Sequence, residues 1–368
     1  MTSQERRRIV VAMSGGVDSS VAAALLVRQG HQVVGMMLRL WSEADNGQGP
    51  ANRCCTLDAQ YVAQRVADIL EIPFHLVNVA ERFRREVVTY FIAEYAAGRT
   101  PNPCILCNQR IRFGWLLNRA LALGADYLAT GHYARIRYEG GTYRLLRGVD
   151  RSKDQSYALY RLDQHALAHT LFPVGGYTKV QVRRMAHEMG LPVAERAESQ
   201  DLCFVADGDY RRFLQRQAPE TIRPGPIRDL SGRVLGEHRG LPFYTIGQRK
   251  GLGLAARPGR PGEAPQPLYV VALDPAENAL IVGPAEALRR RTCRATQVHW
   301  IRGQAPETSF RAQAQIRYRA PETPVTVTLL PDGDVKVRFD EPQRGVTPGQ
   351  SIVFYQGDEV LGGGIITH

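Results

Sequence analysis

The sequence predicts an α/β protein with an N-terminal doubly wound parallel-sheet domain over residues 1–208, a small central domain over 209–289 and a C-terminal β-barrel domain over 290–368. Three observations predict this. Apolar strand-like runs alternate with helical patterns through about the first 200 residues, the signature of parallel strands joined by helical crossovers. From about Asp209 the chain turns rich in Pro and Gly. Beyond about Arg290 it becomes a string of short alternating segments parted by turn residues, as a small barrel or sandwich requires.

Each element has its own reason. "RIVVAM" (Arg8–Met13), "QVVGMML" (Gln32–Leu38), "FHLVNV" (Phe74–Val79) and "YLATGHY" (Tyr127–Tyr133) are the strands of the first domain, apolar enough to be buried on both faces. Helical patterns fall between them over Ser20–Gln29, Asp58–Leu70, Phe83–Ala97 and Ile111–Leu123. The polar, Gly- and Pro-containing stretch Trp41–Cys55 predicts a loop over the open end of the sheet. After the helical "YRRFLQRQ", the segment Arg223–Leu254 predicts turns and short strands. The last domain shows period-two runs at Thr292–Ile301, Phe310–Arg319, Pro324–Leu330, Asp334–Asp340, Gln350–Gln356 and Glu359–Thr367, with a turn at Asp332-Gly333.

A chain of 368 residues with 44% hydrophobic content buries a full core without disulfides. Its six cysteines, Cys54, Cys55, Cys104, Cys107, Cys203 and Cys293, do not form a secreted framework, and reduced thiols predict a cytoplasmic protein. Arg6-Arg7-Arg8 before "IVVAM" imitates a secretory leader, but Ser14, Gly15, Gly16 and Asp18 interrupt the apolar run too early. No run of about 18 apolar residues occurs, so no membrane span or membrane partner is expected. A net charge of +11, from 47 Lys and Arg against 36 Asp and Glu, predicts a polyanionic partner.

The stretch from Ala12 to Ser20, "AMSGGVDSS", follows a strand and opens an Ala-rich helix. Gly15 and Gly16 let backbone approach an anion, Ser14 and Ser19 add hydroxyls, and the helix start directs amides and a positive dipole end at phosphate. The lysine of the ordinary P-loop is missing. Gly131-His132 ends another predicted strand, where a glycine admits a ligand and a polar side chain faces the crevice. Lys153, Asp154 and Gln155 are too polar to bury and predict a substrate-facing loop. The pair Cys104/Cys107 lacks the second ligand pair of a zinc site, and Pro103 does not suit a redox CxxC. Together with Cys203 in "LCFV", it suggests sulfur delivery at the crevice.

The ordered motifs "SGGVDSS", "GRTPNP" with "CN" beyond it, "TGHYA", "KDQSY", "LFPVG", "LCFV", "YTIGQRKGLG" and "GVTPGQSIVFY" resemble those of the bacterial tRNA-specific 2-thiouridylases, the MnmA family of PP-loop ATP pyrophosphatases, from about residue 8 to the end. The resemblance implies that ATP lies on Ala12, Met13, Ser14, Gly15, Gly16, Val17, Asp18 and Ser19, with further contacts at Leu38 and Gly131, and that Asp18 helps hold Mg2+. It implies that the tRNA anticodon stem-loop meets Asn102, Pro103, Cys104, His132, Lys153, Asp154, Gln155, Arg317, Tyr318 and Gln350. The wobble uridine would be adenylated on its C2 oxygen. Cys203 would carry a persulfide from a sulfur-donor protein, with Cys107 as partner thiol, its thiolate favoured by the helix after Asn108 and by Arg110 and Arg112. Where many members carry Asp, this chain carries Cys104, so a 4Fe–4S cluster on Cys104, Cys107 and Cys203 is an alternative route. Another adenylating ligase or amidotransferase is the alternative function, but it would need neither Cys107 nor Cys203.

Overall fold

The computed structural model describes residues 5–43, 56–196, 202–205, 207–254 and 267–367. The expected loop around residues 44–55, with Cys54 and Cys55, lies outside them, as does Asp201 beside Cys203.

The first domain is the expected parallel sheet. Its strands β1 (Arg8–Ala12), β2 (Gln32–Arg39), β3 (Phe74–Asn78) and β4 (Tyr127–Thr130) are followed by a hairpin, β5 (Ala134–Glu139) and β6 (Thr142–Arg147), and by the short β7 (Thr170–Leu171). The sheet runs β3-β2-β1-β4-β7, and every pairing in it is parallel. Both faces are covered, which is why its strands are apolar throughout. Val10, Val34 and Leu128 face one core with Phe113, Leu116 and Leu117, while Ile9, Val11, Val33 and Ala129 face another with the helices Val17–Arg28, Leu57–Ile69 and Lys179–Glu188. The strand order reverses between β1 and β4. A crevice therefore opens at their carboxyl ends, the place where open α/β sheets bind ligands.

The last helix of the third crossover, between β3 and β4, starts earlier than the periodicity indicates. Helix begins at Pro103, passes through wider i→i+5 turns over Asn108–Leu116 and ends at Ala122. Asn102 caps its start, its Oδ1 accepting from the Cys104 amide at 3.2 Å, and Pro103 takes the first helical position, where no N–H is needed.

The central domain is a four-stranded sheet, ordered β10-β11-β8-β9, from β8 (Gly225–Asp229), β9 (Val234–His238), β10 (Tyr269–Asp274) and β11 (Ala279–Gly283). The last domain consists of β12 (Arg289–Trp300), β13 (Ser309–Gln315), β14 (Thr323–Leu329), β15 (Val335–Arg344), β16 (Ser351–Gln356) and β17 (Glu359–Ile366). They run β12-β15-β14-β13-β16-β17, and β17 pairs back onto β12, closing a six-stranded barrel without free edges. Its alternation is clean: Val325, Val327, Val335, Val337 and Phe339 fill the inside.

Two backbone ties, beside side-chain bonds such as Tyr157 to the Ser351 carbonyl and Gln164 to the Ile301 carbonyl, join the barrel to the first domain. Glu359 on β17 pairs with Leu146 on β6, so the hairpin extends the barrel wall. At the other tie, the Gln350 side-chain amide donates to the Thr100 carbonyl at 2.8 Å, and the Thr100 amide donates to the Pro348 carbonyl at 2.9 Å.

Candidate active site

The glycine-rich turn sits at the strand reversal. Gly15 adopts φ +70°, and a Cβ there would lie 2.4 Å from the Ala59 carbonyl oxygen, so only glycine fits. The helix that follows has Gly16 as its N-cap and no side-chain cap, which leaves first-turn amides available to an anion. Ser19 braces the turn: its Oγ donates to the Gly16 carbonyl at 3.2 Å and accepts from the Ser14 amide at 3.2 Å. Gly131, just past β4, packs on this first turn, and a Cβ there would be 2.6 Å from the Ser19 nitrogen. Leu38, at the carboxyl end of β2, is partly buried beside the same crevice.

Asp18 projects from the first turn. The Lys179 ammonium donates to both its carboxylate oxygens at 2.8 Å, and the Tyr133 hydroxyl donates to Oδ1 at 2.7 Å. Neither partner is among the expected site residues, although Tyr133 lies in the motif "TGHYA". Lys179 is the first residue of its helix, positioned by a capping box of Thr178 and Gln181, and the Thr-x-x-Gln spacing of "TKVQ" was the available signal. Asp18 is the acidic residue of this first turn, and its carboxylate would suit Mg2+, which binds one or two carboxylates and otherwise substrate oxygens and water.

His132 lies between the rings of Phe113 and Phe172 and 2.6 Å from the Thr130 hydroxyl through Nδ1. Burial, aided by the charge of Arg112, pushes its pKa down to about 3. The imidazole is therefore neutral, a hydrogen-bonding group rather than a cation.

The thiols divide. Cys107 is buried and Cys203 partly buried in one apolar cluster with Leu40, Trp41, Phe91, Phe204 and Phe213, which Leu38 also joins. Residues far apart in the chain thus converge beside the crevice. Cys104 is exposed. Among the described residues no three His, Cys, Asp or Glu side chains gather closely enough to hold a metal. The expectation that a helix starting after Asn108 would activate Cys107 is corrected. The helix starts at Pro103, so Cys104 lies at its amino end and Cys107 is a turn inside it.

The expected RNA-facing residues are placed unevenly. The reading of Lys153, Asp154 and Gln155 as too polar to bury fails for Asp154. Its carboxylate accepts from the Gly148 amide at 2.9 Å and the Ser156 hydroxyl at 2.8 Å and pairs with the buried Arg147. Polar partners within the loop replace water and remove the desolvation cost. Gln155 accepts from the Tyr133 amide at 2.9 Å and so fixes the chain next to His132. Gln350 is engaged in bracing Thr100. Arg317 and Tyr318 lie in the turn after β13, not on a strand; Tyr318 is 37% exposed and its ring is 5.9 Å from that of Tyr157, in the segment that follows Gln155.

Comparison with known proteins covers the chain nearly end to end. The family model described as tRNA methyl transferase HUP domain matches residues 7–207, the tRNA methyl transferase PRC-barrel domain residues 211–284 and the aminomethyltransferase beta-barrel domain residues 290–366. A Moorella thermoacetica protein named tRNA-specific 2-thiouridylase MnmA is 56% identical over 360 residues, covering 97% of this chain and 98% of its own. Proteins of the same name from Roseiflexus castenholzii and Chloroflexus aggregans are 52% and 54% identical, over 98% and 97% of this chain and 99% and 98% of theirs.

Proposed function

The chain belongs to the tRNA-specific 2-thiouridylase family, and from that premise we propose that it is a cytoplasmic enzyme that converts the wobble uridine of tRNA to 2-thiouridine at the expense of ATP. The observation that carries this reading is the convergence of Cys107 and Cys203 in one cluster, adjoining Leu38 at the mouth of the phosphate cradle.

The triphosphate lies on the turn from Ala12 to Ser19, with Leu38 and Gly131 beside the nucleotide. Mg2+ held at Asp18 offsets pyrophosphate charge when bound, and Lys179 stands ready to meet the anion from the same side. Asn102, Pro103 and Cys104 flank the flipped-out base, and His132 offers it a neutral hydrogen-bonding ring. Lys153 and the loop that Asp154 and Gln155 shape contact the RNA, as do Arg317 and Tyr318, while Gln350 acts through the Thr100 brace.

The C2 oxygen attacks the α-phosphate and pyrophosphate leaves. The terminal sulfur of a Cys203 persulfide, loaded by a sulfur-donor protein, attacks C2 and expels AMP. The Cys107 thiolate then attacks the Cys203 sulfur, forming a Cys107–Cys203 disulfide and releasing the thiolated base; a dithiol reductant resets the pair. Cys107→Ser and Cys203→Ser should each abolish 2-thiouridine formation and retain tRNA binding. Thiolation by either variant would refute this assignment.

A further inference from the structure

The barrel carries a strip of arginines that the catalytic reading does not use. β12 opens with Arg289, Arg290 and Arg291, all exposed, and β15 closes with the exposed Arg344. The antiparallel register sets Arg289 directly opposite Arg344. Directly opposed residues of a sheet share a face with Cβ atoms about 4.5–5.5 Å apart, and like charges so placed are destabilising.

The same pair of strands shows how such a clash is handled when it serves structure alone. Arg294 lies opposite Lys336, and there Arg294 ion-pairs with both Asp332 and Asp334. Arg311 on β13 likewise pairs with Asp340 on β15, across β14. At the other end of β12, among the described residues, no carboxylate lies within ion-pair distance of Arg289, Arg290, Arg291 or Arg344; Arg290 donates only to the Ala287 carbonyl, at 3.3 Å. The nearest acids in sequence, Glu286 and Glu341, make no ion pair among the described residues.

The strip is continuous with the active-site side of the barrel. Gly345 follows Arg344 with φ +76°, and the Arg317 Nη1 lies 3.3 Å from where a Gly345 Cβ would be. Four residues on, Gly349 packs against Arg99 and Thr100, at the loop leading to Cys104. The opposed guanidiniums of Arg289 and Arg344 thus lie one residue from Gly345, beside which the Arg317 guanidinium packs.

We propose that Arg289, Arg290, Arg291 and Arg344 form a phosphate-binding strip that holds the sugar–phosphate backbone of the tRNA stem beyond the base-contacting residues Arg317 and Tyr318. This rests on the tRNA-thiolation reading. Phosphate oxygens between the opposed guanidiniums relieve their repulsion, and contacts of this kind fix register without reading sequence. An acidic protein is a weaker match, because a backbone presents evenly spaced charge along the row.

The test measures binding of an unmodified tRNA with a wobble uridine across a salt series, for the wild type, for Arg289→Gln/Arg344→Gln and for Arg294→Gln as a control. The double variant should weaken binding and lower the slope of log K against log salt by roughly 1.4–1.8, at about 0.7–0.9 per lost phosphate contact. It should retain wild-type thiolation kcat at saturating tRNA, and the control should match wild type. Unchanged affinity and slope in the double variant overturn the strip while leaving the thiolation reading intact. Loss of sulfur loading with tRNA affinity unchanged assigns the strip to the donor protein and also overturns it. Failure of the wild type to bind tRNA removes the underlying reading itself.

Discussion

Replacing Gly131 by alanine adds one methyl group where the end of β4 meets the first turn of the nucleotide helix. The new Cβ would stand 2.6 Å from the Asp18 carbonyl carbon and the Ser19 amide nitrogen and 2.9 Å from the Asp18 Cβ, against an ordinary contact of about 3.5–4.0 Å. These atoms are helix backbone and a Cβ, none of which can rotate away, so strand and helix must part by about 1 Å. Gly131 is not among the positive-φ glycines, and the effect is therefore steric. Overpacking of this sort costs about 1–3 kcal/mol, which lowers Tm by roughly 2–12 °C in a unit of this size. The displaced atoms are those that carry Asp18 and Ser19, and a 1 Å misplacement of positioning groups costs about 100-fold in rate. Pyrophosphate release should thus lose about two orders of magnitude in kcat/KM for ATP, with tRNA binding retained. Gly16→Ala is the contrast, since its nearest atom is the Ser14 Oγ at 3.5 Å and its φ of −95° suits any residue; with no clash and only a poorer N-cap, it should lower Tm less than Gly131→Ala does. A Gly131→Ala protein with unaltered Tm and unaltered kcat/KM for ATP would refute the placement of the nucleotide at this junction.

Three further outcomes follow from the site. Asp154→Ala leaves the Gly148 amide without its acceptor and removes one of two carboxylates from the buried Arg147, which keeps Glu322 at 2.6 Å, so denaturant titration should show a loss of about 1–3 kcal/mol; unchanged stability would return Asp154 to the RNA-facing surface. His132 has its folded pKa near 3 against 6.5 unfolded. The unfolded chain binds the extra proton between those values, so this residue makes stability fall as pH drops below about 6.5 and adds no pH dependence above it. His132→Gln should flatten that decline, and an unchanged acid profile would contradict the assignment. Gln350→Ala removes the donor to Thr100, worth about 0.5–1.5 kcal/mol, and should speed alkylation of the buried Cys107 as followed by mass spectrometry; an unaltered rate would show that the brace does not govern the thiol loop.

Much of this molecule was legible because its signals are local and periodic. Strands buried on both faces are continuous apolar runs, and barrel strands alternate strictly, so both classes stand out in the text. The glycine-rich turn was legible because Gly15 needs a positive φ and direct backbone contact, which single out glycine. Tertiary pairings were not legible. Lys179 meets Asp18 only because the helix Lys179–Glu188 packs beside Val17–Arg28, and nothing in "GYTKV" names that partner. The hairpin β5–β6 escaped although Gly140-Gly141, both with positive φ, join its strands; its outward residues are charged and hide the alternation. Asp154 looked like a surface acid because sequence cannot show that Arg147 is folded back against it.

The barrel's attachment bears on how an RNA-binding module could serve thiol chemistry. Two ties at opposite ends fix its orientation: β17 against β6, reinforced by the Arg144–Glu359 and Arg135–Asp358 pairs, and the segment Pro348–Gln350 against Arg99–Pro101. The second is so close that a Cβ on Gly349, at φ +88°, would lie 2.8 Å from the Thr100 nitrogen. Thr100 and Pro101 lead directly into Asn102, whose side chain caps the helix bearing Cys104 and Cys107. On the proposed reading, a tRNA held on the barrel would bear on a segment bonded to the start of the thiol helix. Positioning a splayed base to within a fraction of an ångström needs a stiff path of this kind, and the path exists because one loop of the barrel hydrogen-bonds the backbone immediately before the cysteines.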